Sequence, residues 1–223
     1  MSAMDTAVAE AENLDQELVS KARSGDGRAR SLSGEKAQRI IDAMRRSVAQ
    51  RGTAASTFDR VSREAGVSRG LLHYYFGTKE QLLAEAVRRD CELRLELLER
   101  QLSTAKTADD FIALMAQNLQ ETVRVDPDFV TLVFELFTLS RRNEDIAAEY
   151  AGLMRNTREQ VAGMLATAQR EGVLHLHAEP EAVAEVLFSL ADGFALRLLT
   201  EPERDFTNTI RAGIACARAL LTD

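Results

Sequence analysis

The segment that most constrains the fold runs from Thr57 to Leu83 and reads TFDRVSREAGVSRGLLHYYFGTKEQLL. Its first apolar residues recur at the three- and four-residue spacing of one helical face, which predicts a short amphipathic helix. The residues of that face are Phe58, Val61 and Ala65. Ser56 and Asp59 have the spacing of an N-terminal capping box, so we expect Ser56 to begin this helix.

A tight turn follows and leads into a second short helix. Gly66 can adopt the left-handed conformation that ends a helix, because it has no Cβ atom. Ser68 is placed to cap the next helix, which carries Leu72 and Tyr75. Two short helices joined in this way form a helix-turn-helix unit, whose second helix commonly enters the major groove of DNA.

The rest of the chain predicts helices almost throughout, so we expect an all-α protein of about nine helices. A support helix over residues 34–51, ending at Gly52, precedes the two short helices. Later starts are marked by capping pairs, or by a proline or an acidic residue in the first turn. These starts are Thr78 with Gln81, Thr107 with Asp110, Asp126 with Pro127, Asn143, Pro180 and Asp205. The fourth helix is expected to end near Leu102 and the seventh at Glu171, before Gly172.

The net charge of -7 is distributed unevenly along the chain. Residues 33–80 carry nine basic and five acidic side chains, a local +4, whereas residues 81–223 carry -9. A basic segment joined to an acidic remainder is typical of a protein that binds a polyanion such as DNA through the basic part. The alternative is that the basic residues are ordinary solvated charges on helices. We expect a flexible extension over residues 1–32, a DNA-binding domain over 33–80, and an effector-binding and dimerisation domain over 81–223.

The sequence contains no apolar run of about 18 residues and no secretion signal, so we expect a cytoplasmic protein without a membrane segment. Cys91 and Cys216 lack the spacing of a disulfide framework, and both are expected to be reduced and mostly buried. His175 and His177 have no cysteine or carboxylate cluster near them, so we expect a surface loop there and no metal site.

Catalysis has little support in the sequence. Three histidines are present, and there is no nucleophile motif, phosphate-binding glycine loop or HExxH motif. We therefore expect neither an enzyme nor a bound cofactor.

The segment AGVSRGLLHYYFGTKEQLL, followed by about 140 residues of predicted helix, resembles the TetR family of transcriptional regulators. The match covers roughly residues 36–83. Its fitting positions are Gly66, Val67, Ser68, Gly70, Leu72, Tyr75, Phe76, Lys79 and Glu80. The later DGFALRLL segment is loosely similar to the dimerisation end of one common subgroup. The resemblance implies a homodimer that binds a palindromic operator, usually as a repressor that is released by a small ligand held among the C-terminal helices.

Three side chains of the second short helix are candidates for reading bases. Arg69 carries a planar guanidinium that can pair with O6 and N7 of guanine, a contact that supplies roughly 1–3 kcal/mol of discrimination. Leu71 can touch a thymine methyl group, and His73 can donate or accept a hydrogen bond, a surface role for His73 being the alternative. Leu71 and His73 depart from the threonine and tyrosine commoner in the family, so the operator bases cannot be copied from relatives. The predicted contacts to the DNA backbone are Thr57, Ser68, Gly70, Tyr74, Tyr75 and Lys79.

The C-terminal helices are expected to hold a small apolar or amphipathic effector and to join two subunits. Apolar side chains with two polar ones supply a candidate lining for the effector, plain core being the alternative. This lining is Phe111, Met115, Asn118, Phe134, Phe137, Tyr150, Met154, Arg158 and Phe188. The last two helices have apolar faces that suit a four-helix interface between subunits, burial inside one subunit being the alternative. The interface residues are Val183, Val186, Leu187, Leu190, Phe194, Leu198, Ile210, Ile214, Ala217 and Leu221.

These observations predict a sequence-specific regulator whose partners are double-stranded DNA, a second copy of the chain and a small effector. The second copy is expected because one recognition helix reads only a few base pairs. Effector binding is expected to move the long fourth helix and so change the separation of the two recognition helices. A regulator without a ligand, an activator and a nonspecific DNA-packaging protein are the alternatives.

Overall fold

The structure is a computed structural model that describes residues 34–222, so the extension expected over residues 1–32 lies outside it. The described residues form nine α-helices and contain no strand, which confirms the all-α prediction. In chain order the helices are α1 (Gly34–Ala55), α2 (Phe58–Ala65), α3 (Arg69–Phe76), α4 (Lys79–Leu102), α5 (Ala108–Val125), α6 (Pro127–Ser140), α7 (Glu144–Arg170), α8 (Pro180–Thr200) and α9 (Thr207–Leu221).

Several helix ends lie where neighbouring residues predict them. Gly66 follows α2 in the left-handed conformation, with φ 68° and ψ 41°. Thr107 and Asp110 form the predicted capping box at the start of α5. Thr78 and Gln81 form another before α4, because each backbone N–H donates to the other side chain at 3.1 Å. These ends are set by local hydrogen bonds that need no tertiary partner.

Two later helices also begin beside the predicted residues. The Oδ1 atom of Asn143 accepts hydrogen bonds from the backbone N–H groups of Asp145 and Ile146, at 3.1 and 3.2 Å. The Oδ1 atom of Asp205 accepts from the N–H of Thr207 at 2.9 Å. Both side chains satisfy N–H groups that have no partner within their helix.

The start of α2 differs from the prediction. Ser56 is fully buried; its Oγ donates to the carbonyl of Gly52 at 3.0 Å and accepts from Oγ of Ser47 at 2.9 Å. Thr57 occupies the N-cap position and makes no side-chain cap hydrogen bond. The predicted capping box of Ser56 with Asp59 is therefore wrong, because the Ser56 hydroxyl is already used to tie the turn to α1.

The described chain divides into two compact units. One holds the described residues up to Val87 together with Thr131–Ala147, and the other holds Arg88–Val130 and the described residues from Ala148 onward. Buried side chains of the first unit include Ile40, Ile41, Met44, Val48, Phe58, Val61, Leu71, Leu72, Leu82 and Leu83. Buried side chains of the second include Leu95, Leu102, Phe111, Ile112, Leu165, Leu174, Val183, Leu187 and Leu221. Each unit thus has an apolar core of its own.

The two cysteines are both free thiols but lie in different environments. Cys91 is buried, and this burial, followed by the negative charge of Asp90, raises the pKa of its thiol to about 12. Cys216 is exposed on α9. The prediction that both cysteines are mostly buried is therefore wrong for Cys216.

The segment with His175 and His177 is a loop held against the C-terminal end of α9. The N–H of His175 donates to the carbonyl of Leu221 at 2.9 Å, and Nε2 of His177 lies 2.7 Å from the carbonyl oxygen of Thr222. Across residues 34–222, no group of His, Cys, Asp and Glu side chains is arranged to hold a metal ion. None of the helices described there combines the length and apolarity that a membrane crossing requires.

Candidate nucleic-acid interface

The predicted recognition helix is α3, and local features set both its start and its buried face. Ser68 is the N-cap, and its Oγ accepts a hydrogen bond from the N–H of Leu71 at 3.3 Å. Leu72 is 0% exposed, which anchors the helix in the first unit. The exposed side of the helix carries Arg69, Gly70, His73 and Tyr74. The helix therefore offers a polar and basic face to solvent.

Arg69 begins this exposed face and contacts two neighbouring side chains. Its Nη1 lies 3.0 Å from Oδ1 of Asp59 on α2, and its Nε donates to Nε2 of His73 at 3.3 Å. The side chain of Arg69 is 59% exposed. A surface guanidinium with N–H groups to spare has the chemistry that reading a guanine edge requires.

The other two predicted base readers lie in different places. His73 is exposed, and its ring packs edge-on against Phe58 with centroids 4.7 Å apart. Leu71 is 4% exposed and belongs to the core of the first unit. The prediction that Leu71 touches a thymine methyl group is wrong, because its side chain has almost no accessible surface.

The six residues predicted to contact the DNA backbone all lie in the first unit, between the residue before α2 and the first residue of α4. Thr57, Gly70 and Tyr74 are exposed, the last at 47%. Ser68, Tyr75 and Lys79 are half-buried. The rings of Tyr74 and Tyr75 pack edge to face with centroids 5.0 Å apart. Their roles as phosphate contacts stay a prediction.

Lys79 is held by residues outside the predicted site. Its Nζ donates to the carbonyl of Thr53 at 3.0 Å and lies 3.9 Å from Oε1 of Glu80. Thr53 also donates through Oγ1 to Oε2 of Glu135 on α6. An ammonium has three N–H donors, so the bond to Thr53 leaves others for a phosphate. Thr53 and Glu135 are far apart in sequence, and no local pattern links them.

Asp59 also lies on this surface, although its position in the sequence gave no indication of a role there. Its carboxylate pairs with Arg69, while Arg63 donates through Nε to the backbone carbonyl of Asp59 at 3.0 Å. Asp59 and Arg69 lie on different helices, so the spacing rules for ion pairs within one helix could not find them. Their opposite charges were the one available signal.

The residues predicted to line an effector pocket have varied environments. Phe111 is 1% exposed and is a core residue of the second unit, whereas Phe137 is 46% exposed. Arg158 pairs through Nε with Oε2 of Glu185 at 2.7 Å. Burial is the main cause that raises the pKa of Tyr150. The half-buried members are Met115, Asn118, Phe134, Tyr150, Met154, Arg158 and Phe188. Phe111 is therefore a residue of the hydrophobic core, which was the alternative to a role in the effector pocket.

A cavity of about 120 Å³ opens among α5, α8 and α9 of the second unit. Its walls are almost wholly apolar. They are formed by Ile112, Met115, Ala116, Leu119, Gln120, Leu187, Leu190, Ala191, Phe194, Leu198, Ile210, Gly213, Ile214, Ala217 and Leu221. Met115 is shared with the predicted effector lining, whereas most of the lining from α8 and α9 was predicted to form the dimer interface.

The residues predicted for the dimer interface separate into a buried and an accessible group. Val183, Leu187 and Leu221 are 1%, 9% and 0% exposed, so they pack inside the subunit. The interface prediction is wrong for Val183 and Leu221, because their side chains have almost no accessible surface to offer a partner. For Leu187, which also lines the cavity, it stays a prediction. The accessible group is Val186, Leu190, Phe194, Leu198, Ile210, Ile214 and Ala217.

A helix-turn-helix unit with an exposed basic recognition helix, joined to further helices, defines the class of helix-turn-helix DNA-binding regulators. Residues 40–86 match the family model for bacterial regulatory proteins of the tetR family. Residues 107–221 match the model for the C-terminal part of BetI-type transcriptional repressors. This match covers more than half of the present chain. The chain therefore belongs to the TetR family of transcriptional regulators, as the resemblance in its sequence indicated.

Individual relatives agree with this assignment. The HTH-type transcriptional regulator PksA of Bacillus subtilis is 26% identical over 172 residues, which cover 75% of this chain and 80% of PksA. The HTH-type transcriptional regulator BetI of Rhizobium meliloti is 26% identical over 162 residues, covering 71% of this chain and 75% of BetI.

Solved structures share the fold. A transcriptional regulator from Saccharomonospora viridis in complex with choline gives a TM-score of 0.68 at 22% identity, covering 86% of this chain and all of that one. FadR from Bacillus subtilis in complex with stearoyl-CoA gives a TM-score of 0.67 at 18% identity, covering 81% of this chain and 96% of FadR. At these identities the comparison supports the fold alone.

Proposed function

We propose that the protein is a homodimeric repressor that binds a palindromic operator through α3 and leaves it when a small effector binds. DNA binding is assigned to residues 33–80, and effector binding and dimerisation to residues 81–223. The observation that carries the proposal is the exposed, basic start of α3, where Arg69 lies on the surface of a helix anchored by the buried Leu72. A polar helix face of this kind fits the major groove.

Selection from a random-sequence duplex pool tests DNA recognition with the full chain. A palindromic consensus, with half-sites about one helical turn or a multiple apart, is expected because two recognition helices must act together. Retention of all sequences equally would instead favour nonspecific packaging. No retention of any duplex would contradict the proposal.

The variant Arg69→Ala tests the base-reading role within that operator. A bidentate guanine contact is worth roughly 1–3 kcal/mol, so we expect about 5- to 150-fold loss of discrimination at one base position in each half-site. Arg60→Ala is the charge-matched control, because Arg60 is also exposed but lies on α2. Competition binding against operators with single base changes measures the effect. Equal weakening for all sequences would make Arg69 a phosphate contact.

The dimer is assigned to the accessible apolar residues of α8 and α9. All of them except Val186 line the apolar cavity, and covering such a surface with a second copy removes it from water. Leu190→Glu would place a charge in the joint and is expected to give monomers by light scattering. Ser189→Glu is the matched control, since Ser189 is an exposed neighbour outside the apolar face. A wild-type chain that stays monomeric on its operator would overturn this assignment.

The effector is proposed to be small and apolar or amphipathic. The half-buried apolar residues of the second unit, and the choline and stearoyl-CoA held by the two structural relatives, support this class. An effector that releases the operator must bind more tightly to the free protein than to the complex. Adding choline, and separately stearoyl-CoA, to the labelled complex tests two kinds of ligand. A regulator that no small-molecule mixture releases would be ligand-independent.

A further inference from the structure

The guanidinium of Arg69 is held at two of its three nitrogen atoms by side chains from two helices. On one side, Nη1 is 3.0 Å from Oδ1 of Asp59 in the first turn of α2. On the other side, Nε donates to Nε2 of His73, one turn along α3. Arg69 is therefore placed between an anion and a neutral acceptor before any DNA is present.

The surroundings of His73 assign the proton on its ring. Its Nδ1 lies 3.3 Å from the carbonyl oxygen of Gly77, which can only accept, so Nδ1 carries the hydrogen and donates. Nε2 then has the lone pair that accepts the Nε–H of Arg69. The ring of Phe58 packs edge-on at an interplanar angle of 79° and fixes the plane of the imidazole. A continuous chain of hydrogen bonds thus runs from Gly77 through His73 and Arg69 to Asp59.

These contacts leave the outer part of the Arg69 guanidinium available. Arginine has five N–H donors, of which the bond to His73 uses one on Nε and the pair with Asp59 uses one on Nη1. Both hydrogens on Nη2 and one on Nη1 remain. The side chains of Arg69 and Asp59 are 59% and 58% exposed, so neither is enclosed by the surrounding protein.

We propose that Asp59 and His73 are positioning residues that orient Arg69 for reading one base in each half-site, and so determine specificity there. The inference rests on the proposed function, because it needs a duplex in contact with α3. A free arginine must lose the freedom of several rotatable bonds to form a bidentate contact, and a side chain that is already held loses less. Functional side chains locked by such supporting contacts recognise their targets with better geometry.

The charge of Asp59 allows an experiment to distinguish two roles, one in which Asp59 orients Arg69 and one in which it only adds negative charge to the surface. A carboxylate beside the groove repels the phosphates, so removing it should strengthen binding to every duplex if the charge is all that matters. If Asp59 orients Arg69, its removal should instead reduce the preference for the correct base at the position that Arg69 reads. The two roles therefore predict different patterns across operator sequences.

The experiment compares Asp59→Asn, His73→Phe and the control Glu64→Gln in the full chain. Glu64→Gln also removes one negative charge from α2, but Glu64 pairs with Arg46 at 2.7 Å and has no contact with Arg69. His73→Phe keeps an aromatic ring against Phe58 while removing the acceptor. Fluorescence anisotropy with the selected operator, and with each single base change in one half-site, gives the discrimination at every position. Arg69→Ala identifies the position concerned.

We expect Asp59→Asn and His73→Phe each to lower discrimination at that position by about 5-fold or more, and Glu64→Gln to leave it unchanged. In an Arg69→Ala background, Asp59→Asn should have no further effect on discrimination, because its target is gone. The proposal is overturned if Asp59→Asn changes all sequences by one common factor, as the control does. If the wild-type chain prefers no sequence, the proposed function itself fails, and that result is seen before any variant is made.

Discussion

The close approach of α8 and α9 depends on Gly213 having no side chain. A Cβ atom at this position would lie 2.7 Å from both Cε2 and Cζ of the Phe194 ring. Carbon atoms in ordinary contact are about 3.5–4.0 Å apart, so the ring would have to retreat by roughly 1 Å. Phe194 lines the cavity of the second unit, so a retreat of its ring would change the shape of that cavity and the contacts around it. We therefore predict that Gly213→Ala destabilises the fold.

The magnitude follows from two opposing effects. Forcing an extra methyl group into packed surroundings costs about 1–3 kcal/mol, whereas replacing glycine by alanine inside a helix gains roughly 1 kcal/mol. The control Gly163→Ala on α7 should show the gain alone, because Gly163 is exposed and has no atom within 4 Å of the added Cβ. We expect the two variants to differ in free energy of unfolding by about 2 kcal/mol, with Gly213→Ala the less stable.

Urea denaturation followed by far-ultraviolet circular dichroism measures this difference. All chains should be compared at one protein concentration, because a dimer that forms only in the folded state adds to the apparent stability. Equal stability of the two alanine variants would refute the reasoning. It would mean that the Phe194 ring moves aside without cost, so that the short distance does not reflect tight packing.

Two further predictions concern the capping of α5 and the thiols. Thr107→Ala should reduce the free energy of unfolding by about 1 kcal/mol, because the Oγ1 of Thr107 accepts a hydrogen bond from the N–H of Asp110. Circular dichroism during urea denaturation measures this loss of stability. Unchanged stability would contradict the role of the cap. In a Cys216→Ser chain, Ellman's reagent at pH 8 should react with Cys91 only on unfolding, because burial and then Asp90 raise the pKa of that thiol to about 12. Rapid reaction of the folded chain would show that the thiol is accessible.

Helix ends proved predictable where the deciding contacts are local. The Thr78 and Thr107 capping boxes and the left-handed Gly66 lie within a few residues of the ends that they set. Ser56 and Asp59 also have the spacing of a capping box, yet the hydroxyl of Ser56 bonds to Ser47 in the core of the first unit. A rule based on spacing within one helix cannot foresee a competing partner that folding brings from an earlier one.

Apolar periodicity identified which faces of the helices are buried but not what covers them. Val183 and Val186 are both apolar residues of α8, but the first is 1% exposed and the second is 45% exposed. Leu71 was expected on the outer face of α3 and is 4% exposed, because this short helix turns Leu71 as well as Leu72 into the core. The division of an apolar face between the interior and an open surface is decided by the neighbouring helices, which the sequence pattern does not place.

On the recognition surface, too, the sequence identified a residue by its own chemistry but not the partner that folding brings to it. Arg69 was identified as a base reader by its own chemistry and its place in α3, which are local properties. Its partner Asp59 belongs to a different helix and was expected only to help cap that helix. If the pair acts together, the preferred base depends on both residues. A related chain that keeps arginine at the first position of this helix but lacks the carboxylate should then bind a similar operator with weaker discrimination, because its guanidinium would be held on one side only.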